Sequence, residues 1–231
     1  MPLLTIFFNN VLERSKTPLN FREIPESEMK KRAQVFSSHL MQRRSVRDFS
    51  DRLIPEGVLE ACLGSAVTAP NGANLQPWHF SVIRDPKIKK AIREAAEEEE
   101  KQFYNSRAPK EWLDSLAPIG TNAKKPFLEN APALVAIFQK SEITSPDGTL
   151  SRTYYSKESV GIATGFLISS LHHAGLATLT HTPSPMKFLN EILARPISEK
   201  PFLLLVVGFP APDCHVPDIS RLPTEKMVEF H

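Results

Sequence analysis

The sequence predicts a layered α/β or α+β sheet domain. Two observations carry this: short apolar runs of strand length alternate with segments of helical spacing, and Gly, Pro and Asx residues punctuate the joints. The first helical pattern runs from about Glu26 to Met41, with Val35, Phe36, Leu40 and Met41 as its inner face. A second helix follows Pro55 at its first turn, with Val58, Leu59, Cys62, Leu63 and Ala66 at helical spacing. Residues 78–83 read as a strand stopped by Asp85-Pro86, and a long polar helix then extends to about Tyr104. Residues 132–138 form a buried strand, and 141–151 a loop that turns at Pro146-Asp147-Gly148. The segment 159–174 is apolar nearly all round and ends at Gly175, as a central core helix would. A short strand at 176–180 follows, then Ser184-Pro185 as cap and first turn of a helix ending near Arg195. The last strand is 202–207. Beyond Pro210 the chain is proline-rich and aperiodic, so it either frays or wraps something.

Composition narrows the function. A chain of 231 residues with 41% hydrophobic residues suits one compact domain with arms. Its 28 basic and 26 acidic residues leave a formal charge of +2, so no strong field favours nucleic acid or an anionic membrane. Cys62 and Cys214 offer neither a disulfide framework nor metal-ligand spacing, which suits a reducing compartment. The apolar stretch 2–8 is far too short to span a bilayer and lacks the basic flank and cleavage site of a secretory signal. The expectation is a cytoplasmic protein that binds no metal.

Two clusters carry the chemistry. Arg43-Arg44-Ser45-Val46-Arg47 packs three guanidiniums and a hydroxyl into five residues, and Arg43 and Arg47 at i, i+4 would project on one side of a helix. Such a multi-donor clamp suits a dianionic phosphate. A basic cluster near a helix end also serves simply as a solvated cap. The second cluster, residues 68–78, includes Pro70, Asn71, Gly72, Ala73 and Asn74; it is a loop whose backbone can come close to a flat ligand. Further along, Glu97, Glu98, Glu99 and Glu100 form an acidic run. For the first three a solvated helix face is the ordinary reading, whereas Glu100 and Tyr104 at i, i+4 can touch one ligand. With Lys125 they offer a carboxylate, a phenol and an ammonium, a set suited to an amino-acid zwitterion if the fold brings them together. The adjacent His172 and His173 lack metal-binding spacing and read as a helix surface or a core pair.

Taken in order, these clusters resemble the flavin-dependent nitroreductase superfamily, and more closely its iodotyrosine deiodinase branch. The resemblance covers the chain from about Pro25 to the C-terminus. It implies a nitroreductase-like α+β fold, with a central mixed sheet flanked by helices, in an intertwined homodimer with exchanged C-terminal arms. The corresponding organisation is an N-terminal arm 1–24, an FMN-binding domain 25–209 with a lid at about 95–130, and a C-terminal arm 210–231. Animal members carry a membrane anchor, and this sequence begins near where their catalytic domain starts, so a soluble form is expected.

By the same resemblance, Arg43, Arg44, Ser45, Val46 and Arg47 grip the FMN phosphate, and Arg221 completes that site. Pro70, Asn71 and Gly72 lie against the flavin ring, and the Ala73 N–H binds the substrate phenolate. Glu100, Tyr104 and Lys125 stand where the branch closes a lid over the substrate's ammonium and carboxylate. Thr180, His181 and Thr182 follow a core strand, and Thr182 matches a threonine facing flavin N5 that favours one-electron over hydride chemistry. Asn71 stands where mammalian members have Ser, and Asn74 where His is common. The implied activity is reductive dehalogenation of halotyrosines, with NAD(P)H as ultimate electron source, directly or through a flavin or NADPH reductase. The alternatives are an NAD(P)H-dependent nitro or quinone reductase and a flavin-binding module without turnover.

Overall fold

The two most apolar strands, β2 (Ala133–Lys140) and β6 (Glu199–Gly208), pair antiparallel at the centre of the computed structural model, which describes residues 17–144 and 147–231. Their side chains alternate between two cores. Leu134, Ala136, Phe138, Leu204 and Val206 enter one, and Val135, Ile137, Leu205 and Val207 the other. A strand buried on both faces reads as a continuous apolar run, which is how both appear in the sequence.

Strand β1 (Trp78–Ile83) pairs antiparallel with β2, and β5 (Ala177–His181) with β6, giving the order β1-β2-β6-β5. A single parallel bridge from Ser45 to Thr178, with the Val46 N–H donating to Thr178 O at 3.2 Å, makes the outer edge of β5 mixed. Helices α2 (Val58–Ala66) and α6 (Ser156–His173) cover one face; α3 (Pro86–Gln102), α5 (Phe127–Asn130) and α7 (Phe188–Ile192) cover the other. Asp85 caps α3, its Oδ1 accepting from the Lys87 and Ile88 N–H groups at 2.7 and 3.1 Å, with Pro86 in the first turn. The dipeptide that stops β1 therefore also starts the helix leading to the lid.

Several elements depart from the sequence expectations. The chain divides into two units at Ser38/His39. The first carries most of α1 (Glu26–Met41), whose expected inner face is not buried in this chain: Val35, Phe36 and Met41 are all exposed. The loop at 141–151 instead contains a small hairpin, β3 (Glu142–Thr144) with β4 (Leu150–Arg152). Its turn keeps Gly148 at φ 84° and Asp147 Oδ1 on the Thr149 N–H at 2.9 Å, while Pro146 lies outside the described residues. The apolar stretch 2–8 also lies outside them. Helix α6 is not buried all round, because Ile162 and Phe166 are about two-fifths exposed. Ser184 and Pro185 precede α7 rather than opening it.

The tail is less detached than its composition implies. Cys214 and Val216 pack against the α3 core, and the Ala211 N–H donates to Asp48 O at 3.0 Å. Among the described residues no helix is long and apolar enough to cross a membrane.

Candidate active site

The arginine cluster follows α1 as an extended segment running beside β5. Arg43, Arg44, Ser45 and Arg47 line a cavity of about 330 Å³ with Pro217, Ile219, Ser220 and Arg221 of the tail. Val46 turns the other way, into the core. The tail is tied down here: Arg221 donates to the carbonyls of Met41 and Arg43 at 3.0 and 2.7 Å, and Arg44 to that of Pro217. Arg221 thus reaches the cluster within its own chain.

No carboxylate pairs with Arg43, Arg44, Arg47 or Arg221 among the described residues. Burial lowers the Arg43 pKa, and the charges of Arg221 and Arg44 push it the same way. Uncompensated guanidiniums around one cavity, together with a serine, are a donor set for a dianionic phosphate. The phosphate end of FMN fits it.

A second cavity, of about 240 Å³, adjoins the first, with Arg47 and Ile119 lining both. Its floor is the end of β5, with Thr180, His181 and Thr182. Its roof is built from the segment after α3: one π turn over Phe103–Arg107, helix α4 (Lys110–Leu116) and a 3-10 turn at Ala117–Ile119. Glu100 at the end of α3 and Tyr104 in the π turn both face in, and Lys125 closes the side. The sequence-predicted carboxylate, phenol and ammonium therefore converge. Lys125 Nζ lies 3.2 Å from Glu100 Oε2 and 5.7 Å from the centre of the Tyr104 ring. Burial lowers the Lys125 pKa, and Glu100 opposes that shift.

His181 is the least expected part of the floor. It is buried against the Phe127 ring, and its Nε2 has no hydrogen-bond partner among the described residues. Burial, with the nearby Lys125 and Arg47 charges, lowers its pKa to about 3, so the imidazole is neutral at ordinary pH. Thr180 and Thr182, on either side of His181, are exposed.

The Asn/Gly loop lies on the other face of the sheet, between α2 and β1, and does not line either cavity. Its backbone is unusual: Ala73, Asn74 and Gln76 all adopt positive φ, at 50°, 55° and 48°. Asn71 braces this shape, its Oδ1 accepting from the Gln76 N–H at 2.8 Å and its Nδ2 donating to Ala69 O at 3.1 Å. That amide is spent on the loop itself. The Gly72 N–H reaches Ser159 Oγ at 3.4 Å, while the Ala73 N–H is taken up by none of these bonds. Pro70 is exposed beside them.

Sequence reasoning missed four contributors. Glu97 was read as part of a solvated face, yet its Oε1 accepts the Lys125 backbone N–H at 2.7 Å and its Oε2 pairs with Arg93 at 2.7 Å. Glu99 pairs with Arg107 at 2.8 Å and so ties the π turn back to α3. Thr121 accepts from Lys125 Nζ at 3.1 Å, and Trp112 stacks edge-on against Phe103 at 5.0 Å in the roof. Glu97 had a helical-spacing signal, since it lies at i+4 from Arg93 within α3.

Residues 40–209 match the nitroreductase family. An iodotyrosine deiodinase of Haliscomenobacter hydrossis is 52% identical over 197 residues, covering 85% of this chain and 88% of that protein. The Homo sapiens iodotyrosine deiodinase 1 is 39% identical over 214 residues, covering 91% and 73%. A crystal structure of an oxidized iodotyrosine deiodinase bound to FMN and 3-iodo-L-tyrosine superposes with a TM-score of 0.71 at 30% identity. It covers 85% of this chain and 98% of that one.

Proposed function

Because the chain belongs to the nitroreductase family and, within it, to the iodotyrosine deiodinases, we propose that it is an FMN-dependent reductive dehalogenase of halotyrosines. One observation carries the reading: Glu100, Tyr104 and Lys125 converge on a cavity that shares Arg47 with an uncompensated arginine cradle. A nitro or quinone reductase acting on neutral rings has no use for a buried carboxylate and ammonium over its pocket, and a flavin store has none either.

Arg43, Arg44, Arg47, Arg221 and Ser45 would hold the FMN phosphate, leaving the ring toward Thr180 and Thr182. When bound and reduced, FMN would supply the two electrons that, with one proton, replace a carbon–halogen bond by carbon–hydrogen and release halide. The protein orients the substrate. Glu100 receives its ammonium, Lys125 its carboxylate, and Tyr104 covers the ring. The Thr182 hydroxyl would be available to donate a hydrogen bond to the bound flavin, which would tune it toward one-electron transfer. His181, being neutral, adds no charge to the cavity floor.

The reading includes a homodimer. Pro70, Asn71, Gly72 and Ala73 lie apart from the cavity of their own chain, so a second copy would supply the loop that covers the flavin and the Ala73 N–H for the phenolate. The half-exposed apolar side of α6 is the surface such a copy would cover. NAD(P)H, used directly or through a separate flavin or NADPH reductase, is the electron source in this scheme. The deciding experiment is to reduce the FMN-loaded protein anaerobically and add 3-iodotyrosine or a nitroarene. Fast reoxidation by iodotyrosine with release of iodide is expected; reoxidation by the nitroarene alone would return the chain to the nitroreductases.

A further inference from the structure

The Lys125 ammonium is already engaged on every side that is described. Of its three N–H groups, two are donated to Thr121 Oγ1 at 3.1 Å and to the Asn122 carbonyl, and Glu100 Oε2 lies at ion-pair distance, 3.2 Å. Lys125 cannot withdraw. Its backbone N–H is held by Glu97, and Arg93 clamps Glu97 and Glu129 at 2.7 and 2.6 Å. Both charges are nearly dry, the side chains of Lys125 and Glu100 being 3% and 13% exposed. Among the described residues, no further acid lies within ion-pair distance of the Lys125 ammonium, and no further base within that of the Glu100 carboxylate. The residues that read a zwitterion thus neutralise each other until one arrives.

We propose that substrate recognition at this site, on the halotyrosine reading above, is an ion-pair exchange: a ligand opens the Lys125–Glu100 pair only by bringing both opposite charges at once. A zwitterion trades one buried pair for two. A ligand with a carboxylate alone takes Lys125 but strands Glu100 in a place with almost no water, and a ligand with an ammonium alone strands Lys125. Breaking a buried pair from one side is strongly unfavourable because the remaining charge is uncompensated. A neutral phenol leaves the pair closed and avoids that cost. Affinity should therefore not climb stepwise from phenol to half-charged ligand to zwitterion. The half-charged ligands belong at the bottom.

Calorimetric titration of the FMN-loaded protein with 3-iodotyrosine, 3-(4-hydroxy-3-iodophenyl)propionate, 3-iodotyramine and 2-iodophenol tests this. The expected order places iodotyrosine about a hundredfold or more tighter than 2-iodophenol, with the propionate and the tyramine no tighter than the phenol. Independent contacts would instead make each half-charged ligand about tenfold tighter than the phenol, and that result overturns the exchange. In Glu100→Gln no carboxylate is stranded, so the propionate should gain about tenfold over its affinity for the unaltered protein; no gain also counts against the proposal. Should that variant not fold, the wild-type series alone decides. Iodotyrosine binding no tighter than 2-iodophenol would remove the substrate reading itself, an outcome distinct from stepwise affinity.

Discussion

A Cβ placed on Gly72 would stand 2.7 Å from the carbonyl oxygen of Tyr154. The segment leaving the β3–β4 hairpin therefore lies directly on the Asn/Gly loop, and only glycine leaves room. The colliding atom belongs to backbone, which cannot rotate away as a side chain can. Gly72→Ala should cost about 1–3 kcal/mol of stability, read as a lower urea midpoint at unchanged slope, with a shifted flavin absorbance band if the loop reaches the ring. An unchanged midpoint would mean that the hairpin yields freely.

Arg43 should show opposite effects with and without cofactor. Its guanidinium sits beside Arg221 and Arg44 with no acid partner among the described residues, so Arg43→Gln removes repulsion from the FMN-free protein but, on the proposed reading, a donor from the bound phosphate. FMN affinity in fluorescence titration should fall by about 1.5–3 kcal/mol. The FMN-free variant should melt no lower than its parent and gain less from added inorganic phosphate. A large loss of stability without FMN would show a structural arginine instead.

Thr182→Ala tests the tuning of the cofactor. The side chain is exposed at the end of β5, so its loss opens no core cavity and folding should be unaffected. Iodotyrosine turnover should fall about tenfold or more, the effect of one hydrogen bond of about 1.4 kcal/mol, while nitroarene reduction is kept or gained. Equal losses on both substrates would place Thr182 away from the flavin edge.

The buried imidazole gives a pH dependence whose sign follows from its shift. His181 titrates near 3 when folded and near 6.5 when unfolded. Between those values the unfolded chain binds a proton that the folded one does not, so stability is full above about pH 6.5 and falls as pH drops toward 3. From pH 7 to pH 5 this group should remove about 2 kcal/mol. His39, whose pKa is lowered by burial and by His172 and His173, adds in the same direction. Urea midpoints for the parent and for His181→Gln at both pH values isolate the first contribution. A variant with the same acid slope as the parent would show that His181 is not buried neutral.

Phe166→Glu probes the second copy. Phe166 and Ile162 lie on the outer side of α6, 42% and 41% exposed. A carboxylate there is harmless to a lone chain but would be desolvated under a partner. Sedimentation should show monomers with reduced FMN retention. Dimers as tight as the parent's would put the interface elsewhere.

The sheet was legible because its central strands β2 and β6 are buried on both faces and so read as unbroken apolar runs, while Asp85-Pro86 and Gly175 mark the joints beside the outer strands β1 and β5. The hairpin at β3–β4 was not, since each of its strands has only three residues, two of them exposed, too short for a period to register. Glu100 and Tyr104 could be paired from helical spacing, but their meeting with Lys125 could not, because it depends on the π turn and on the path through α4. The hold of Glu97 on the Lys125 backbone spans 28 residues and leaves no periodic trace, and the contact of Thr121 with the Lys125 ammonium, though only four residues apart, lies outside any helix whose period could mark it. The inner face assigned to α1 failed because an apolar stripe records that burial is favourable, not where the burying surface lies.

Arg47 lines both cavities, and on the proposed reading this would make the cofactor and the substrate thermodynamic reporters of each other. Whatever factor FMN adds to the hold on halotyrosine, halotyrosine must add to the hold on FMN, since the cycle of binding steps closes. A cell poor in flavin would then lose the enzyme twice over, once as missing cofactor and again as weakened capture of amino acid. A cell rich in halotyrosine would keep its flavin in place without making any more of it.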